Sequence, residues 1–226
     1  MSDAGPSAIR SFAEAHERAG QGEDLSRIVS LSDGIFAFAM TLLVIQLAVP
    51  VALCSDLPSS ASGACDGRLA HVLQSEYPAF FGYVTTFVFI GVWWQSHNRV
   101  FRFIERHDST LVWLNLIFLL SIAIAPFVLG VYAEYNSTVI ATVLFALEQS
   151  ASGFLLAAIW WYANEHRMVS PRTDPAIRTY LLRRSTIIGA IFLLSIPVAI
   201  VDVRIAAFVW VGAFVASFYL RRYASV

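Results

Sequence analysis

Six stretches of this chain are apolar over lengths that match the hydrocarbon layer of a bilayer, roughly 30 Å thick, and that feature restricts the fold more than any other. A helix rises about 1.5 Å per residue, so each crossing needs about 20 residues. The stretches fall near 33–53, 77–97, 111–133, 137–163, 183–201 and 203–220. They are continuously apolar rather than alternating with period two, which excludes a β-barrel. With 58% hydrophobic and 14% charged residues, no soluble core accounts for them. The sequence therefore predicts an all-α, polytopic integral membrane protein with six transmembrane helices per subunit. Residues 1–24 precede it as a cytoplasmic N-terminal stretch, a mobile tail or a short surface helix, and 25–226 form one six-span domain.

Arginine supplies the orientation. The chain has no lysine, and with six spans and an N-terminus inside, all of its 15 basic residues except Arg68 and Arg204 lie on the cytoplasmic side. One span more or fewer would scatter the later arginines over both faces. Both termini are thus expected in the cytoplasm, with the basic loops touching anionic lipid headgroups. The net charge of −1 and the lack of any recognition motif give no nucleic-acid partner. Cys54 and Cys65 share the first outer loop, where an oxidising compartment could pair them.

A polar side chain inside a span costs about 2.5–3.5 kcal/mol near the bilayer centre if charged, so each needs a partner or water. On the first helix Arg27, Ser32 and Asp33 mark the cytoplasmic entrance. Ser32 and Asp33 can be read as an N-cap complementing the helix dipole. Alternatively Asp33, His97 and Asn115 meet between helices as acceptor, switchable donor and amide. His97 has no second ligand at metal spacing, which makes it a hydrogen-bonding rather than a metal-binding residue and leaves no metal site. Glu148 is either a proton-carrying carboxylate or a group satisfied by Gln149, Ser150 or another subunit. Phe38, Thr41 and Ile45, at i, i+3 and i+7, form one edge of the first helix. That edge faces lipid or a neighbour, or in four copies makes a hydroxyl ring between apolar rings.

The segment from Arg27 through Leu31, Ser32, Asp33 and Gly34 to Val44 resembles the first-helix signature of the transmembrane protein 175 family of endolysosomal potassium channels and its prokaryotic members. Trp93-Trp94-Gln95-Ser96-His97-Asn98-Arg99-Val100-Phe101, continued through Asn115 to Pro126-Phe127, is similar to the prokaryotic members. Leu31 replaces the signature's usual Phe, and aliphatic residues are usual where Phe38 stands. The resemblance implies a homotetrameric potassium-permeable leak channel in a prokaryotic plasma membrane. Its first helix would line the pore at Phe38, Thr41 and Ile45, and an inter-helix network would join Arg27, Ser32, Asp33, His97 and Asn115. No cofactor is implied beyond permeant K+. No Thr-Val-Gly-Tyr-Gly filter occurs in the chain.

The competing function is a proton- or ion-coupled secondary transporter using Glu148 and His97, but Pro126 and Pro197 lie in different contexts and no internal repeat is evident. An intramembrane enzyme lacks a nucleophile with a base in reach. A voltage sensor lacks regularly spaced arginines within a span.

Overall fold

The structure, a computed structural model, describes residues 6–45, 47, 53–58, 62–210 and 212. It is all-helical: α1 Pro6–Ile45, α2 Ser62–Ser75, α3 Tyr77–Phe101, α4 Ser109–Glu134, α5 Val139–Glu165 and α6 Pro175–Val201. A further helical stretch covers 203–210. Among the described residues, four helices have the length and composition to cross a membrane: Gly22–Ile45 within α1, and α4, α5 and α6. The 25 residues of α3 would reach about 37 Å, and tryptophan, tyrosine and phenylalanine recur along it.

The elements follow from local chemistry. Asp108 caps α4 by accepting from the Leu111 N–H at 2.8 Å. Thr138 does the same for α5 through Ala141, and Asp174 opens α6, with a proline in its first turn. Asp202 then breaks α6 in an extended conformation and accepts from the Arg204 N–H at 2.7 Å as helical backbone resumes. An isolated bridge between Ile104 and Val169 ties the α3–α4 loop to the α5–α6 loop. Arg178 braces it by donating to the Ser170 carbonyl at 2.9 Å.

Packing is densest between α5 and α6 and between α4 and α5, with α1 laid against α3 and α4. A Cβ on Gly153 would stand 2.7 Å from the Gly189 Cα, so the backbones of α5 and α6 touch. One apolar cluster surrounds Phe36, Trp93, Phe118 and Trp160; a second, towards the far end of α5, gathers Phe145, Phe192 and Trp210.

The expected bounds change at the first and fifth spans, the fifth, expected over 183–201, occurring as α6 Pro175–Val201. The first helix starts at Pro6 rather than 33 and is described to Ile45, with an i+3 bond from the Leu47 N–H to the Val44 carbonyl beyond it; residues 46 and 48–52 of the expected span lie outside the described residues. Ser32 and Asp33 therefore sit inside a continuous helix, where no backbone N–H is left for an N-cap. The Ala-, Glu- and Arg-containing stretch before 33 has helical propensity, and of its two expected forms, mobile tail or surface helix, it takes the helical one from Pro6. The last span, expected over 203–220, is helical to 210; residues 211 and 213–220 lie outside the described residues. Cys54 and Cys65 are joined as a disulfide.

Candidate functional site

Two faces of α1 carry different chemistry. Ser32, Phe36, Ala39 and Leu43 recur at helical spacing and are buried against α3 and α4. On the opposite side Leu31, Phe38, Thr41 and Ile45 are exposed among the described residues, Phe38 by 64% and Ile45 by 74%. Their spacing of seven, three and four keeps them on one edge. Thr41 Oγ donates to the Phe38 carbonyl at 2.8 Å. Its proton is thereby committed to the backbone, and its oxygen remains an acceptor on the uncovered face.

Behind this edge, a directed chain of hydrogen bonds links three helices. His97 Nε2 lies 2.9 Å from Asn115 Oδ1, and an amide oxygen only accepts, so the imidazole donates. Asn115 Nδ2 donates to Ser32 Oγ at 3.0 Å, and Ser32 Oγ donates to the Ile28 carbonyl at 2.9 Å. All three residues are at most 1% exposed. The His97 ring lies between Phe101, with centroids 4.3 Å apart, and Phe118 at 5.5 Å, both nearly parallel to it. These rings fix its plane, and the bond to Asn115 fixes its rotation.

Of the residues expected in one network, the structure joins Ser32, His97 and Asn115 and separates the other two. Asp33 points one residue round the helix and accepts from Trp94 Nε1 at 2.8 Å. Arg27 is on the exposed side and stands 4.0 Å from Asp24, an i,i+3 surface pair. A helix turns about 100° per residue, so Ser32 and Asp33 cannot address the same neighbour.

Trp94 was absent from the expected network, although an indole N–H within a span needs an acceptor, and that need was legible in the sequence. Its neighbour Trp93 reaches the other way and donates to Gln149 Oε1 of α5 at 2.8 Å. Glu148 is satisfied by Gln149 and Ser152 rather than by Ser150. Among the described residues, no group of three or more His, Cys, Asp or Glu is placed to hold a metal ion.

Residues 27–126 match the family model described as the endosomal/lysosomal potassium channel TMEM175. The chain is 33% identical over 163 residues to a potassium channel of Streptomyces collinus, covering 70% of this chain and 74% of that one. It is 32% identical over 124 residues to a potassium channel of Chamaesiphon minutus, covering 55% of each. With the human endosomal/lysosomal proton channel TMEM175 it shares 25% over 170 residues, covering 74% of this chain and 32% of that longer one. The crystal structure of the Chamaesiphon minutus homolog of the lysosomal potassium-selective channel TMEM175 has the same fold: the TM-score is 0.68 at 22% identity, over 90% of this chain and 100% of that chain. An apolar helical chain with this signature, fold and set of relatives is a membrane protein, and it belongs to the TMEM175 potassium channel family.

Proposed function

We propose that the protein is a potassium-permeable leak channel, a homotetramer of six-span subunits whose α1 helices enclose one pore. The observation that carries this reading is the uncovered edge of α1. Its side chains, Phe38, Thr41 and Ile45, are apolar with one hydroxyl, and among the described residues they stay largely exposed. Four such edges around an axis form two apolar rings with a ring of threonine oxygens between them. The opposite face of the same helix is held by Ser32, Asn115 and His97, which keeps the edge aimed at the axis.

Ions would pass without a carbonyl filter. Apolar rings gate by dewetting, and weakly held hydroxyl oxygens give modest preference for potassium over sodium. Phe38 is the narrowest ring; turned face-on, its rings offer a cation their negative faces. No cofactor and no catalytic residue enters this reading. The arginine bias puts both termini in the cytoplasm, and the bacterial relatives support the plasma membrane of a prokaryote, with anionic lipid at the basic loops.

The test is the reversal potential of the purified protein in planar bilayers, with potassium on one side and sodium on the other. A passive current reversing towards the potassium equilibrium potential is expected. No current, with proton- or substrate-coupled flux in vesicles, would instead support a secondary transporter. In the same assay Thr41→Val reduces selectivity and Phe38→Ala raises current. Unchanged currents in both variants would remove these residues from the pore.

A further inference from the structure

Glu148 is an acid inside α5, only 7% exposed, and the proposed channel does not use it. Gln149 Nε2 donates to its Oε2 at 2.9 Å. Its Oε1 lies 3.1 Å from Ser152 Oγ, one helical turn on. Ser152 Oγ is 2.9 Å from Ser121 Oγ of α4, and Ser121 Oγ is 2.7 Å from the Phe118 carbonyl.

Counting protons along this chain decides its chemistry. The Phe118 carbonyl can only accept, so it takes the single hydroxyl proton of Ser121. The Ser121–Ser152 contact then requires the proton of Ser152. With Glu148 ionised, Ser152 donates to its Oε1 and none is left for the Ser121–Ser152 contact; all three contacts are hydrogen bonds together only if the carboxyl carries a proton and donates it to Ser152.

The surroundings agree with that count. Residues 78–96 of α3, 110–133 of α4 and 185–201 of α6 contain no Asp, Glu, Lys, Arg or His. Within 139–164 of α5, Glu148 is the sole charged residue. Titratable side chains along the helices around it include Asp33 on α1, Tyr83 and His97 on α3, Tyr132 on α4 and Tyr162 on α5, with Tyr180, Arg183 and Arg184 nearer the start of α6. Asp33 and His97 bond to Trp94 and Asn115, Tyr162 donates to Asp108, and the side-chain hydrogen bonds of Glu148 are to Gln149 and Ser152. An ionised carboxylate here would be a buried charge whose hydrogen bonds, to Gln149 and Ser152, come from neutral groups.

We propose that Glu148, with Ser152 and Ser121, is a proton-binding site between α4 and α5: Glu148 Oε1 holds a proton and donates it to Ser152 while the helices are packed. Loss of that proton forfeits one of the three contacts, so proton release is tied to loosening of α4 against α5. Gln149 connects the site to Trp93, and the adjacent Trp94 continues to Asp33 of α1.

Infrared spectroscopy of the full-length protein in lipid vesicles at neutral pH tests this directly. A C=O stretch of a protonated carboxyl is expected; it is lost in Glu148→Gln and moves in Ser152→Ala, where the acid has lost its acceptor. If Glu148→Gln fails to fold, carbon-13 labelling of glutamate in the unchanged protein assigns the band, since every other glutamate lies near a helix end or in a polar segment. No protonated-carboxyl band at neutral pH, a band unaltered by Glu148→Gln, or one unmoved by Ser152→Ala would overturn the site.

Discussion

Asn115→Ala should destabilise the protein by about 1.5–3.5 kcal/mol, and the estimate follows from what each partner loses. Asn115 accepts from His97 Nε2 and donates to Ser32 Oγ. Ser32 keeps its own bond to the Ile28 carbonyl, so its loss is one accepted bond, about 0.6 kcal/mol by the average for bonds between membrane helices. His97 fares worse. Its Nδ1 is already buried without a partner, so Nε2–H becomes a second orphan, at about 1–3 kcal/mol. Unfolding in mixed micelles, followed by tryptophan fluorescence, measures the difference. A double-mutant cycle with Ser32→Ala isolates their bond, with an expected coupling of about 0.5–1.5 kcal/mol. A change in Asn115→Ala within about 0.5 kcal/mol of the parent, the level of ordinary surface substitutions, would refute the network as the anchor of α1.

Gly153→Ala should loosen α5 from α6 by about 1–3 kcal/mol, because its Cβ meets the Gly189 backbone at 2.7 Å and no flexible side chain can yield; the same unfolding assay reads it. Asp108→Ala should cost about 1 kcal/mol through the lost α4 cap. Burial works against the Asp108 charge, but the Leu111 N–H, the Tyr162 hydroxyl and the neighbouring His166 outweigh it and hold the carboxyl below its ordinary range. The folded state thus binds this proton less readily than the unfolded chain. Its contribution is present above the ordinary value of 3.8 and lost as pH falls through the lowered one, so the penalty of Asp108→Ala should fade below that pH in acid unfolding scans.

Much of the architecture was legible because a bilayer imposes a length and a composition on every crossing. The helices expected over 111–133 and 137–163 occur as Ser109–Glu134 and Val139–Glu165, ended by polar caps at their starts. The boundaries that moved were at α1 and α6, which extend upstream into polar sequence: hydropathy marks where lipid begins, whereas backbone hydrogen bonding marks where a helix begins. The family signature likewise lies in the linear order of Arg27, Ser32, Asp33 and Gly34, and could be read without coordinates.

Which of those residues touch was not legible, because it depends on helix rotation. Ser32 and Asp33 are adjacent in sequence yet serve different partners, Asn115 on α4 and Trp94 on α3, and Arg27 serves neither. Trp93 and Trp94 diverge in the same way, one to α5 and one to α1. The sequence by itself determined that the chain is helical, crosses a membrane and carries a short set of polar groups requiring partners, since burial in lipid leaves no alternative. Only the tertiary structure decided the pairings and left Phe38, Thr41 and Ile45 uncovered, because the angle at which each helix meets its neighbours is set by packing of all of them at once.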